Sequence, residues 1–143
     1  MANASEQFGQ LQQKVDEGQQ NVKAAAAEDK QQLKARVQSA RQSADEQAAK
    51  LKASAQDTSA EAKGHVSDLH QKWGEHVADV RQRIDQRQAE RDVRQAEREA
   101  EWAEDYAFSA VDLAAAAIEE AEYAVLDAAL ARQEADALAG ASA

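Results

Sequence analysis

Cysteine and proline are both absent from the 143 residues. Without cysteine there is no disulfide, no thiolate nucleophile and no cysteine-ligated zinc. Without proline, and with only five glycines, the chain has few of the residues that make tight turns. Aromatic residues are 4% of the total, and strands draw on aromatic and β-branched side chains. These shortages leave little room for a sheet. No run of 18 apolar residues occurs either. Asp112, Glu119, Glu120, Glu122 and Asp127 interrupt the best candidate, so a membrane-spanning helix is not expected. The opening MANASEQFGQLQQK has neither a basic n-region nor an apolar h-region. The expectation is a cytoplasmic protein.

What the chain does contain is Ala, Gln, Glu, Lys and Arg, the strong helix formers. Its hydrophobic fraction of 43% is more than half alanine. Bulky aliphatic side chains are scarce, so a large core is not expected. The composition predicts an all-α fold: an elongated antiparallel helical hairpin or coiled coil, able to dimerise into a four-helix bundle.

Charge divides the chain. Residues 1–72 carry ten acids and ten bases, whereas residues 73–143 carry seventeen acids and seven bases. All eight lysines lie at or before Lys72, and seven of the nine arginines lie after it. Two segments of one domain are predicted, a zwitterionic helix over 1–63 and an acidic second helix over 64–143. The boundary is set by Gly64, the expected point of a chain reversal or kink, with a continuous helix as the alternative because glycine costs a helix interior only about 1 kcal/mol. Just before it, Thr58 and Glu61 have the spacing of a helix N-terminus, a hydroxyl followed three residues on by an acid.

The first segment has an eleven-residue period. Leu11, Val22, Leu33, Ala44, Ala55, Val66 and Val77 form one column. Val15, Ala26, Val37 and Ala48 form a second, and Ala40, Leu51, Ala62, Trp73 and Ile84 a third. Three apolar positions per eleven residues keep a stripe nearly straight along a helix. The bulkiest part of it is Val66, Leu69, Trp73, Val77, Val80 and Ile84, the best candidate core.

From Ala100 the period changes to seven. Positions a and d run from Ala100 and Ala103 to Ala135 and Leu138, and eleven of the twelve are alanine. The candidate interaction seam is Ala100, Ala103, Ala107, Ala110, Ala114, Ala117, Ala121, Ala124, Ala128 and Ala131. Its shoulders are Val111, Leu113, Ile118 and Val125. Small seam residues let two helix axes come close, and the shoulders then close over the partner. A buried methyl contributes only about 0.8 kcal/mol, so the alanines select shape and the shoulders supply burial. A small-residue stretch in the first segment, through Ala40, Ala44, Ala48, Leu51, Ala55 and Ala62, would fold back on this helix. Phe108, Tyr123, Leu126 and Leu130 lie off the seam and need further cover. A homo-oligomer is expected, a dimer in preference.

Chemistry is harder to find. His65, His70 and His76 cluster near Glu61, Asp68, Glu75 and Asp79, but gaps of five and six residues turn the histidines to different helix faces. A metal needs three or four converging ligands, and no metal, cofactor or catalytic residue is assigned. There is no phosphate loop and no nucleophile elbow, so the chain is expected not to be an enzyme. The arginines of DQRQAERDVRQAEREAE at 85–101 are interleaved with acids that cancel the field phosphates need. Nucleic acid is not an expected partner, and this stretch reads as a solvated helix. The alternative to self-association is lipid association or stress protection by an amphipathic helix. It has a thin, alanine-rich apolar face and acidic second segment against it.

The stretches FGQLQQKVDEGQQNVKAAAAE and AEDYAFSAVDLAAAAIEEAEYAVLDAALAR resemble a group of small, acidic, alanine-rich helical proteins of actinobacteria, to which no activity is assigned. That resemblance covers most of the chain. It implies a cytoplasmic location and a coiled-coil architecture, and it carries over no catalytic or binding residue.

Overall fold

The structure, a computed structural model, describes residues 4–54, 60–89 and 93–142. Among them are four helices and no strand: α1 (Ala4–Ala25), α2 (Lys30–Ser54), α3 (Ala60–Ala89) and α4 (Val93–Ser142). The fold is all-α, as the composition predicts. Helix α1 carries Glu6 in its first turn and Lys23 in its last, which suits the helix dipole at both ends.

The first break comes where no glycine stands. After α1 the chain tightens: Ala27 N–H donates to the Ala24 carbonyl at 3.2 Å, and Glu28 N–H to the Ala25 carbonyl at 3.2 Å. Bonds to the third residue back close a last helical turn in this way. Helix α2 then starts from a reciprocal cap. Gln32 N–H donates to Asp29 Oδ1 at 2.9 Å, and Asp29 N–H donates to Gln32 Oε1 at 3.2 Å. This is a capping box with Asp and Gln in the two roles, and it satisfies two otherwise orphaned donors. The Arg36 guanidinium donates to Glu28 from within α2 and ties the turn down further.

Gly64 does not reverse the chain. Helix α3 begins at Ala60 with Glu61 in its first turn and runs through both Gly64 and Gly74. No glycine among the described residues has a positive φ. Of the start signal at Thr58 and Glu61, the acid lies in the first turn of α3. Thr58 itself, like Ala55, lies outside the described residues. The eleven-residue columns do not survive as one continuous stripe. The turn after Ala25 interrupts them, and Val15, Val22 and Val37 are exposed while Leu11, Val66, Val77 and Ile84 are half-buried.

The chain forms two compact units. One spans Lys23–Glu99; the other combines Met1–Val22 with Ala100–Ala143. In the first, α2 and α3 run antiparallel where they meet: Arg41 pairs with Asp85, and four residues further along α2 Asp45 pairs with Arg81, four residues earlier on α3. The inward stripe of α3 is Val66, His70, Val77, Val80 and Ile84. Val80, 5% exposed, is the one buried hydrophobic residue among those described. His70 takes the place expected of Leu69, which is exposed. In the second unit the covered positions are Phe8, Leu11 and Gly18 of α1 and Trp102, Ala103, Tyr106, Ala110, Ile118, Ala121 and Val125 of α4, all half-buried.

Two stability outcomes follow. A Cβ built on Gly64 or Gly74 meets nothing within 4 Å, so Gly64→Ala and Gly74→Ala should each stabilise the chain by up to about 1 kcal/mol. Loss of stability on urea titration would mean that the helix is not continuous there. Conversely, Asp29→Ala should cost about 1 kcal/mol by removing the α2 cap. The same titration reads it, and an unchanged midpoint would show the cap to be idle.

Candidate functional site

Two places in the molecule concentrate side chains: the charged contacts of the Lys23–Glu99 unit and the alanine face of α4. At the first, Arg41 and Asp85 make a two-pronged contact, with Nη1 to Oδ1 at 2.8 Å and Nη2 to Oδ2 at 3.2 Å. These parallel bonds favour the charged forms. The Arg41 hydrogen bond, then the arginine charge, holds the Asp85 carboxyl below its ordinary range, and the same hydrogen bond raises the Arg41 pKa. Arg81 Nε stands 3.5 Å from Asp45 Oδ1 one turn away.

Glu99, in the second turn of α4, is the buried acid of the unit, at 8% exposure. Arg83 Nη2 donates to its Oε1 at 3.2 Å, and Arg87 Nε lies 3.5 Å from its Oε2. The two arginines sit one turn apart on α3, so both reach one carboxylate. This joins the end of α3 to the start of α4, partly within the stretch at 85–101 expected to be a solvated helix with little core. Part of that stretch is therefore structural. No local pattern announced it, because Arg83 and Glu99 are 16 residues apart and Arg41 and Asp85 are 44 apart.

A groove of about 580 Å³ lies between α2 and α3, lined by Ala48, Ala49, Leu51, Ser67, His70, Gln71, Trp73 and Gly74. Its one titratable group is His70, whose buried Nδ1 has no hydrogen-bond partner among the described residues. The Trp73 ring meets His76 at a centroid distance of 5.6 Å. His65 and His76 are exposed, so the three histidines do not converge. Among the described residues no three His, Cys, Asp or Glu side chains are placed to hold a metal ion, and no helix is long and apolar enough to cross a membrane.

The seam residues all lie on α4, which is unbroken from Val93 to Ser142, so the seven-residue pattern holds its register along one ridge. Ala103, Ala110, Ile118, Ala121 and Val125 are half-buried. Ala100, Ala107, Val111, Leu113, Ala114, Ala117, Ala124, Ala128 and Ala131 are exposed in the single chain. Covered positions end at Val125, and every residue from Leu126 to Ala141 is exposed. The small-residue stretch of the first segment is divided: Ala40 and Ala44 are exposed, while Ala48 and Leu51 line the groove against α3. Trp102 and Tyr106 stack at 5.4 Å, with ring planes 5° apart, a pairing on one helix face that anchors the covered end of α4.

Comparison of the chain with models of known protein families, with curated protein sequences and with solved structures finds no match.

The charged contacts set two expectations. Because the Asp85 carboxyl is held below its ordinary value in the folded chain, its contribution is full above the ordinary carboxylate range. It is lost as pH falls through the lowered value. Asp85→Asn should therefore flatten the acid side of a pH–stability curve; an unchanged acid limb would exclude the pair as its source. Glu99→Gln should destabilise by about 1–3 kcal/mol, because two arginines lose the charge they share. Thermal melts of the variant measure this loss directly.

Proposed function

We propose that the chain is a non-enzymatic, cytoplasmic interaction protein that self-associates through the alanine seam of α4, with a dimer as the working unit. One observation carries this reading. On a continuous 50-residue helix, the seam alanines from Ala107 to Ala131 keep register while most of them, with Val111 and Leu113, remain uncovered in the single chain. A helix of such low bulk gains little from its own chain. A second copy seated on the ridge would cover the methyl groups and fold the shoulder residues over itself, in the close packing that small side chains permit. The coiled-coil architecture implied by the resemblance points the same way.

Sedimentation equilibrium of the purified chain tests the proposal. Association should strengthen with concentration, and replacing Ala114, Ala117 and Ala121 together with leucine should widen or abolish the close contact, because three isobutyl groups hold the backbones apart. An oligomer of unchanged size and stability would overturn it. A gain of helicity on lipid vesicles, with no self-association, would favour a lipid-binding amphipathic helix in its place.

A further inference from the structure

We infer that a second contact between copies forms on the other side of α4, between its apolar outer face and α2 of a neighbouring copy. Tyr123, Leu126 and Leu130 follow three- and four-residue spacing and therefore share one helix face. At 3.6 residues per turn this face is roughly opposite Ala121 and Ala128 of the seam. All three are more than half exposed, at 66%, 63% and 54%. Contiguous exposed bulk of this kind marks an interaction surface.

Charge selects the occupant. From Ala100 onward the chain has ten acids and one base, Arg132. Asp127 and Glu134 flank the outer face on one side and Glu122 on the other. A second α4 laid here would set acid against acid. Helix α2 has the opposite balance, six bases against two acids. It also has an exposed apolar stripe of its own: Leu33, Val37, Ala40 and Ala44, again at three- and four-residue spacing. Lys30 and Lys34 border that stripe, and both are exposed. The chain thus carries both halves of a complementary pair, a lysine-edged apolar stripe and an acid-edged one, each uncovered. Complementary flanking charges set partner choice between helices. This contact adds to the seam and uses none of its residues.

Charge reversal tests it by sedimentation equilibrium, with far-UV circular dichroism to confirm helicity. Lys30→Glu with Lys34→Glu, and separately Asp127→Lys with Glu134→Lys, should each weaken association about tenfold. An equimolar mixture of the two variants should regain the wild-type constant to within about twofold, because each then offers the charge that the other needs. Lys63→Glu with Lys72→Glu makes on α3 the same change of net charge as the Lys30 and Lys34 reversal and should leave association unchanged. The contact is overturned if the mixture associates no better than its components, or if the α3 control loses as much. Where the leucine-substituted seam weakens association and the reversals do not, the seam stands and this contact falls. A wild-type chain that stays monomeric removes both.

Discussion

Burial of the Glu99 carboxylate between Arg83 and Arg87 is the contact on which the Lys23–Glu99 unit most depends. Apolar packing alone gives that unit little: Val80 is its one buried hydrophobic residue among those described. Methyl groups on alanine contribute about 0.8 kcal/mol apiece, and they do so at almost any register. An ion pair is different, because it is satisfied in one alignment only. Exposed pairs such as Lys72–Asp68 add little to stability. A carboxylate withdrawn from water must keep its partners, since losing them leaves a buried charge unpaired. Glu99 thereby sets how α4 begins relative to α3, and Arg41 with Asp85 sets how α2 lies along α3.

The same economy of bulk governs the charge distribution. Counted over the two compact units, Lys23–Glu99 has fourteen acids and fifteen bases, and the remainder has thirteen acids and two bases. The nearly neutral unit pairs Arg41, Arg81, Arg83 and Arg87 with acids of a neighbouring helix. The acidic one has few bases to pair with, so its carboxylates repel one another. Such a field favours solubility and discriminates among partners by sign. It is screened within about 10 Å at 0.1 M salt, so association that depends on it is salt-sensitive.

Much of the helical content was legible in the residues. The absence of proline and the helix-forming composition pointed to an all-α chain, and the seven-residue pattern of α4 lies on one continuous helix. The break points were less so. Glycine weakens helices and Gly64 suggests a reversal or kink, yet its cost of about 1 kcal/mol is small against the bonds of a 30-residue helix. The informative signals were the polar ones. Glu61 follows Thr58 at capping spacing, next to the start of α3. Asp29 and Gln32 have the same spacing and make the α2 cap outright, although the eleven-residue columns ran across that turn and hid it. Periodicity describes which face is apolar; it does not report whether the backbone stays helical between repeats.

By itself the sequence determined what is local: helix type, the two apolar periods, the caps and the placement of acids beyond Ala100. These depend on neighbours three, four or seven residues apart, and such spacings are written in the chain. Only the tertiary structure decided which faces are covered. It put His70 rather than Leu69 on the inner stripe, buried Glu99 within a charged run, and left the face of Tyr123, Leu126 and Leu130 open. Adjacent positions on a helix differ by about 100°, so which of the two is inward depends on the rotation of α3 about its own axis relative to its neighbour. With alanine on most candidate surfaces, side-chain bulk is too uniform to reveal that rotation before the helices meet.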